Sequence, residues 1–454
     1  MLAIRFIIYI LPVVSEVFRV FSATIRDNKL IATYNSFDSL NTEIIVYELK
    51  EGTTKDIFDS RKAFGYGSVD RAFALNFMDI PDNLQEDNNK LWLKFDLQIG
   101  QSFNYPNISS FVNWVGYINL DNMTLEDGSN LFQFPTYENF PIGMYTLNAI
   151  SNKFGSALYV TGGYIYNKNN DTYLPSSSFF KYNLTTKEWI DISYLANVKL
   201  EPVVEHKSVV IDNRFLVILG GEKAIYPING FSYYSLYNLT VFDTFTNSWE
   251  NVTIKPDIMD TSIVNFQFYN FIPTVYNDKI MVLGGTTNDN RTRYTDNRYL
   301  GILDFKSKIW TWIPILNEDG SSYNLKRNNH DLVVFNDQLI ILSDYITDAN
   351  EIPILIYDIP SQRIKSTLRL PHTSNIKYSD KSMPTYSIVL IALSCTTLLL
   401  AVVYLLYRKY KKTRNKHNRA DNNGPIREVW SSPDIHNTNN ILMDNITCVN
   451  VKED

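Results

Sequence analysis

Runs of apolar residues bounded by turn-forming ones recur along the chain. Phe215-Leu-Val-Ile-Leu219 and Ile280-Met-Val-Leu283 are continuous apolar stretches. Such runs are too short for core helices and predict strands buried on both faces. Asn213 and Asp278 precede them and predict tight turns. Apolar runs end in the glycine pairs Gly162-Gly163, Gly220-Gly221 and Gly284-Gly285. Paired glycines let the backbone pass close to a neighbour and adopt positive φ. Further on, Tyr182-Asn183, Phe242-Asp243 and Leu303-Asp304 each place an Asn or Asp six residues before Trp189, Trp249 and Trp310. Each Trp is expected to close its unit by packing a large ring against the next sheet. A repeat of this kind decides the fold before any local assignment. Repeat units stack into scaffolds whose loops bind other molecules.

A fourth copy is degenerate. The run Leu332–Leu342 ends in Ser343-Asp344 where glycines are expected. Tyr357-Asp358 follows, and Ile364 stands where the Trp would. His206 and His330 occupy the same place relative to their strands, which reads as structural rather than catalytic. The pattern His-x-x-apolar-apolar, Asn-Asp-x-strand-Gly-Gly, Tyr/Phe, Trp resembles the kelch repeat over residues 145–370 and only weakly before them. The resemblance implies four-stranded blades of an all-β propeller. Gly163 and Gly221 are 58 residues apart, and Gly221 and Gly285 are 64 apart. Both spacings exceed the roughly 50 of a kelch unit. The extra length falls in Tyr164–Ser178, Glu222–Tyr237 and Thr286–Arg298. Ile44–Leu49, Leu91–Leu97 and Trp114–Leu120 are also strand-like and read as two diverged blades. Six blades are expected, with seven as the alternative. Residues 23–60 and 330–370 should meet to close the ring, since an open ring leaves sheet edges unpaired.

The expected organisation has six segments. A signal peptide occupies 1–22, diverged blades 23–142, kelch-like blades 143–370, a stem 371–386, a transmembrane helix 387–407, and a cytoplasmic disordered tail 408–454. Arg5, the apolar Phe6–Val14 and a small residue at Ser22 or Ala23 carry the signal reading. Ser387–Tyr407 holds no charge, long enough to span a bilayer. The cluster Arg408, Lys409, Lys411, Lys412, Arg414 and Lys416 after it marks the cytoplasmic side. Glycosylation sequons at Asn107, Asn122, Asn170, Asn183, Asn238, Asn251 and Asn290 agree with a propeller outside the cytoplasm. The chain's two cysteines are Cys395, in the span, and Cys448, in the tail. The propeller therefore has no disulfide, and a domain of its size can bury enough core without one. In the tail, Trp430 is a docking candidate, and Ser432, before Pro433, is a phosphorylation candidate beside it.

The net charge is −6. Taking away +3 for the tail and +1 for the first 22 residues leaves −10 for 23–407. An acidic propeller argues against a nucleic-acid ligand. The tail's basic cluster suits contact with anionic lipid heads. Some kelch-like propellers are copper-radical oxidases that need a Cys cross-linked to a Tyr and paired His ligands. This region has no Cys, so no such centre, and no cofactor or metal is expected. No nucleophile elbow, zincin helix or phosphate loop is present. The chain is read as a non-enzyme.

The loop tyrosines Tyr226, Tyr233, Tyr234 and Tyr237 are candidate binding residues, since aromatics on a rigid scaffold bring contact area at low entropic cost. The expected function is non-catalytic binding of a protein or glycan partner at the propeller loops, most naturally at the Gly-Gly ends, with the tail localising or signalling. The layout resembles fungal cell-surface polarity proteins. Plasma membrane is favoured over endoplasmic reticulum or Golgi. A secretory-pathway cargo receptor and a carbohydrate-active surface enzyme are the alternatives.

Overall fold

The computed structural model describes residues 17–36, 41–68, 73–78, 80, 89–97, 113–169, 172–196, 199–225, 230–255, 268–289, 292–296, 299–323, 330–346 and 352–370, with isolated residues at 404, 408 and 411. Six antiparallel sheets, each built on four strands, follow one another along the chain, and a fifth short strand joins the first and the fifth of them. Blade I holds Val17–Arg26, Lys29–Ser36, Asn41–Glu48 and Lys62–Ser68. Blade II holds Phe73–Phe77, Lys90–Leu97, Val115–Asn119 and Thr124–Asp127. Blade III holds Thr146–Asn152, Gly155–Thr161, Phe179–Asn183 and Glu188–Asp191. Blade IV holds Lys207–Ile211, Phe215–Leu219, Asn238–Asp243 and Ser248–Thr253. Blade V holds Phe268–Tyr276, Lys279–Asp289, Tyr299–Asp304 and Ile309–Pro314. Blade VI holds His330–Phe335, Gln338–Ser343, Ile354–Asp358 and Arg363–Lys365. The count is six, and the seven-bladed alternative falls.

The repeat's turn chemistry is visible in the hairpin between the third and fourth strands. In five blades an Asn or Asp side chain accepts a backbone N–H two or three residues on. The pairs are Asn119 with Asp121, Asn183 with Thr185, Asp243 with Phe245, Asp304 with Lys306 and Asp358 with Ser361, at 2.9–3.1 Å. Four residues after each of these, Met123, Lys187, Asn247, Lys308 and Gln362 take positive φ between 50° and 58°. The side-chain bond replaces a backbone one and lets the chain reverse. Six residues on stand Leu125, Trp189, Trp249, Trp310 and Ile364. Blade II therefore obeys the same rule as the blades with Trp.

Six apolar clusters lie between consecutive blades. Trp310 is fully buried with Val217, Val241 and Leu239 of blade IV, and its Nε1–H donates to the Leu236 carbonyl at 2.7 Å. Trp249 packs on Phe179 of blade III, centroids 4.9 Å apart. Trp189 joins Phe132 and Phe134, which follow blade II. The ring thus faces the preceding blade, not the next as expected. Closure is between blades VI and I, as expected. Phe18, Val20 and Tyr47 pack against Phe335, Leu342 and Ile356. Val17–Phe18 pair with Tyr345–Ile346, and Gly52–Thr53 with Thr367–Leu368.

The expected boundary at Ser22/Ala23 needs correction. Val17–Arg26 is one strand, whose Phe18 and Val20 are buried in the closing interface. Cutting after Ser22 would remove the half that seals the ring. Among the described residues no helix is long and apolar enough to cross a membrane. The span expected at 387–407 lies outside the described residues except Tyr404, as do the stem beyond 370 and the tail's Trp430 and Ser432.

Candidate functional site

The glycine pairs work by close approach. Gly162 and Gly163 have φ of 61° and 93°, and Gly220 and Gly221 of 55° and 99°. Gly163 N–H donates to the Val203 carbonyl at 2.8 Å. A Cβ on Gly162 would stand 2.6 Å from that carbonyl and 2.7 Å from His206 Cε1. One on Gly221 would stand 2.6 Å from His206 Cβ. His206, 2% exposed, is therefore wedged between the glycines of blades III and IV. Its Nε2 lies 3.0 Å from Thr146 Oγ1 and 3.1 Å from Thr161 Oγ1. Burial, aided by the Lys207 charge, drives its pKa down to about 3, so the ring is neutral. A neutral ring locked by two threonines positions a linker; that is the structural role expected of it. In blade III the same register position holds Tyr145, buried beside Lys94. Lys94 is itself buried and paired with Asp96.

Above this spine the long inserts are ordered hairpins rather than loose loops. Tyr164–Asn167 pairs with Thr172–Pro175, and Glu222–Ile225 with Gly230–Tyr233. In blade V, Thr292–Asp296 pairs with the extended second strand. All three rise from the Gly-Gly end of their blades.

An ionisable cluster sits where the blade IV hairpin meets the linker from blade III. Val204 and Glu222 exchange backbone hydrogen bonds at 3.1 and 2.8 Å, bringing Glu205 beside Glu222. Glu205 adopts φ 53°. Burial and the neighbouring Glu222 raise its pKa to about 6. Burial also raises Glu222, against a hydrogen bond from Tyr233. Glu201 accepts Tyr234 Oη–H at 2.9 Å and pairs with Lys223 at 3.1 Å; its pKa is lowered by both. The Lys223 ammonium also sits 5.0 Å from the Tyr234 ring centroid. Such a cluster can exchange hydrogen bonds with a polar ligand near neutral pH. Among the described residues, no three His, Cys, Asp or Glu converge as metal ligands.

Of the candidate tyrosines, Tyr233 and Tyr234 come to this cluster as hydrogen-bond donors. Tyr237 does not; its hydroxyl accepts Trp312 Nε1–H at 3.2 Å within the framework. Tyr226 lies outside the described residues. Among the sequons, Asn122, Asn238 and Asn251 are exposed and Asn183 is half-buried; Asn107, Asn170 and Asn290 lie outside the described residues. Sequence reasoning missed Glu201 and Glu222. The one available signal was Glu222's place directly after Gly221, where it must enter the insert.

A family model described as the KLHDC2/KLHL20/DRC7 Kelch-repeats domain matches residues 109–343. No curated protein matches. Among solved structures, one described as "Structure of YjhT" is similar at a TM-score of 0.46 and 11% identity, covering 78% of this chain and 98% of that one. The family match spans more than half of the 454 residues and contains all three glycine pairs and all three repeat tryptophans, and the chain belongs to the Kelch-repeat family.

Proposed function

We propose that this kelch propeller is a non-catalytic scaffold whose Gly-Gly face binds a protein or glycan partner. The carrying observation is the asymmetry of blades III to V. The glycines of blades III and IV, His206 and the three tryptophans are consumed by packing, whereas the three added hairpins and the Glu201–Glu205–Glu222 cluster stand on one face. Kelch propellers generally bind proteins, which supports the same reading. The propeller lies outside the cytoplasm, held by one span at Ser387–Tyr407, with a tail that localises the protein or signals. The uncharged 387–407 stretch, the basic cluster after it and the exposure of Asn122, Asn238 and Asn251 support this.

Localisation of the full chain tagged at its C-terminus, with a glycosidase gel shift, tests the topology. A surface patch with a shift is expected. An internal secretory pattern with a shift favours the cargo receptor, and a cytosolic signal without a shift defeats the reading. The Glu205–Glu222 pair favours a second reading, a carbohydrate-active surface enzyme. Under it, Glu205→Gln abolishes a glycan-modifying activity; under the scaffold reading no such activity exists to lose.

A further inference from the structure

The tight-turn face, opposite the hairpins, holds a cavity of about 160 Å³ between blades III and IV. Its wall includes Phe154, Phe245, Tyr159, Lys181, Asn183 and Asn247. By liquid volume this is room for about five waters, the scale of one side chain rather than a folded element. Phe154 is 65% exposed, and its ring meets Phe245 edge-on at 5.1 Å. Phe245 is half-buried, and an exposed ring packed on it at a cavity rim marks a contact site.

The charge at this cavity is opposite to that of the propeller as a whole. No lining residue is acidic. The Lys181 ammonium stands over the Tyr159 ring at 5.8 Å. Lys153 stands over both Phe154 and Phe245, at 5.0 and 5.1 Å. Neither lysine has a carboxylate partner within the described residues. The nearby Asp243 is spent on Arg214, which grips it through Nε and Nη2 at 2.8 and 2.6 Å. Asn183 accepts the Thr185 and Thr186 N–H groups through Oδ1, which leaves its Nδ2–H₂ as a donor.

We propose that this cavity takes the acidic side chain of an extended peptide partner, its carboxylate between Lys181 and Lys153 and its methylene stem against Phe154 and Phe245. Two ammoniums and an amide donor suit a carboxylate. The aromatic wall suits the stem, and the cavity's size suits a single residue. The site is separate from the Gly-Gly face, so either can fail without the other.

The test is fluorescence anisotropy of the purified full chain with labelled pentaglutamate and pentaglutamine. Pentaglutamate binds and pentaglutamine does not. Lys181→Gln and Lys153→Gln each weaken binding by about fivefold, and added salt weakens it further. Lys153 is exposed and Lys181 half-buried, so their variants should fold; Lys55→Gln, exposed in blade I, leaves binding unchanged. Equal binding of both peptides, or indifference to the two lysine variants, overturns the proposal. So does stronger binding of an oligogalacturonate, which would make the ligand a glycan. Binding seen only in Thr185→Ala would show that a glycan on Asn183 fills the cavity, and overturns it too.

Discussion

Blades III and IV and blades I, II and VI share one register but differ at the crossing between blades. In blades III and IV a pair of left-handed glycines lets the next linker press against the backbone. The aligned positions in the others are Tyr34-Asn35, Phe95-Asp96 and Ser343-Asp344. Each has a polar side chain where the second glycine stood. Asp344 Oδ1 accepts the Val20 N–H at 3.0 Å, across the ring closure. Asp96 holds Lys94 and the Asn76 amide. Asn35 accepts the Thr42 hydroxyl at 3.0 Å. Asp344 carries its bond across to the next blade, whereas Asp96 and Asn35 bond within their own. The lesson is that an absent motif can mark a substituted joint rather than a missing blade.

The sharpest way to break this comparison is at the sixth position after the Asn/Asp turn. Trp310→Ala should cost about 4 kcal/mol in urea denaturation, because the ring is fully buried and hydrogen-bonded. Ile364→Ala, half-buried in the degenerate copy, should cost about 1 kcal/mol. Equal losses would show that the two positions are not the same joint.

The second position of the glycine pair comes next. Gly221→Ala should cost roughly 3 kcal/mol, from positive φ plus collision with His206 and Val203. Asp344→Ala should cost about 2 kcal/mol by stranding the Val20 N–H. A neutral Asp344→Ala would mean that the carboxylate does not replace the glycine's function.

The smallest expected effect is in pH dependence, where blades IV and VI should oppose each other. His206 is held neutral, with a pKa near 3 against an ordinary 6.5. The unfolded chain takes up its proton first, so this stability is whole above pH 6.5 and lost as pH falls toward 3. Asp331, just after the register-equivalent His330, has its pKa raised by burial to about 7. There the folded chain holds the proton longer, so stability falls as pH rises from about 3.8 to 7. His206→Gln should flatten the acid-side loss and Asp331→Asn the other. Unaltered pH profiles for both would contradict these assignments.

Much of the fold was legible in the sequence. The glycine pairs, the Asn/Asp turns and the closing segments were all readable, because each is a local rule with a fixed spacing. The first two blades were harder, since Leu125 replaces Trp and Phe95-Asp96 replaces Gly-Gly. Yet Asn119 already stood six residues before Leu125. The strand at Val17–Arg26 was hidden because its apolar start continues the run that reads as a leader. The candidate site was barely legible. Glu205 and Glu222 are 17 residues apart in sequence, and only the bridge at Val204 brings them together. Tyr233 and Tyr237 looked equivalent in the sequence, and only the positions of Glu222 and Trp312 separate them.

The central claim is that the Gly-Gly face is the binding face. A photo-crosslinking residue placed at Tyr166 or Lys223, on two of the hairpins, should trap one and the same partner in intact cells. The same residue at Ile309, exposed on the outer strand of blade V, should trap none. An adduct from Ile309 alone, with nothing from either hairpin, would contradict the account.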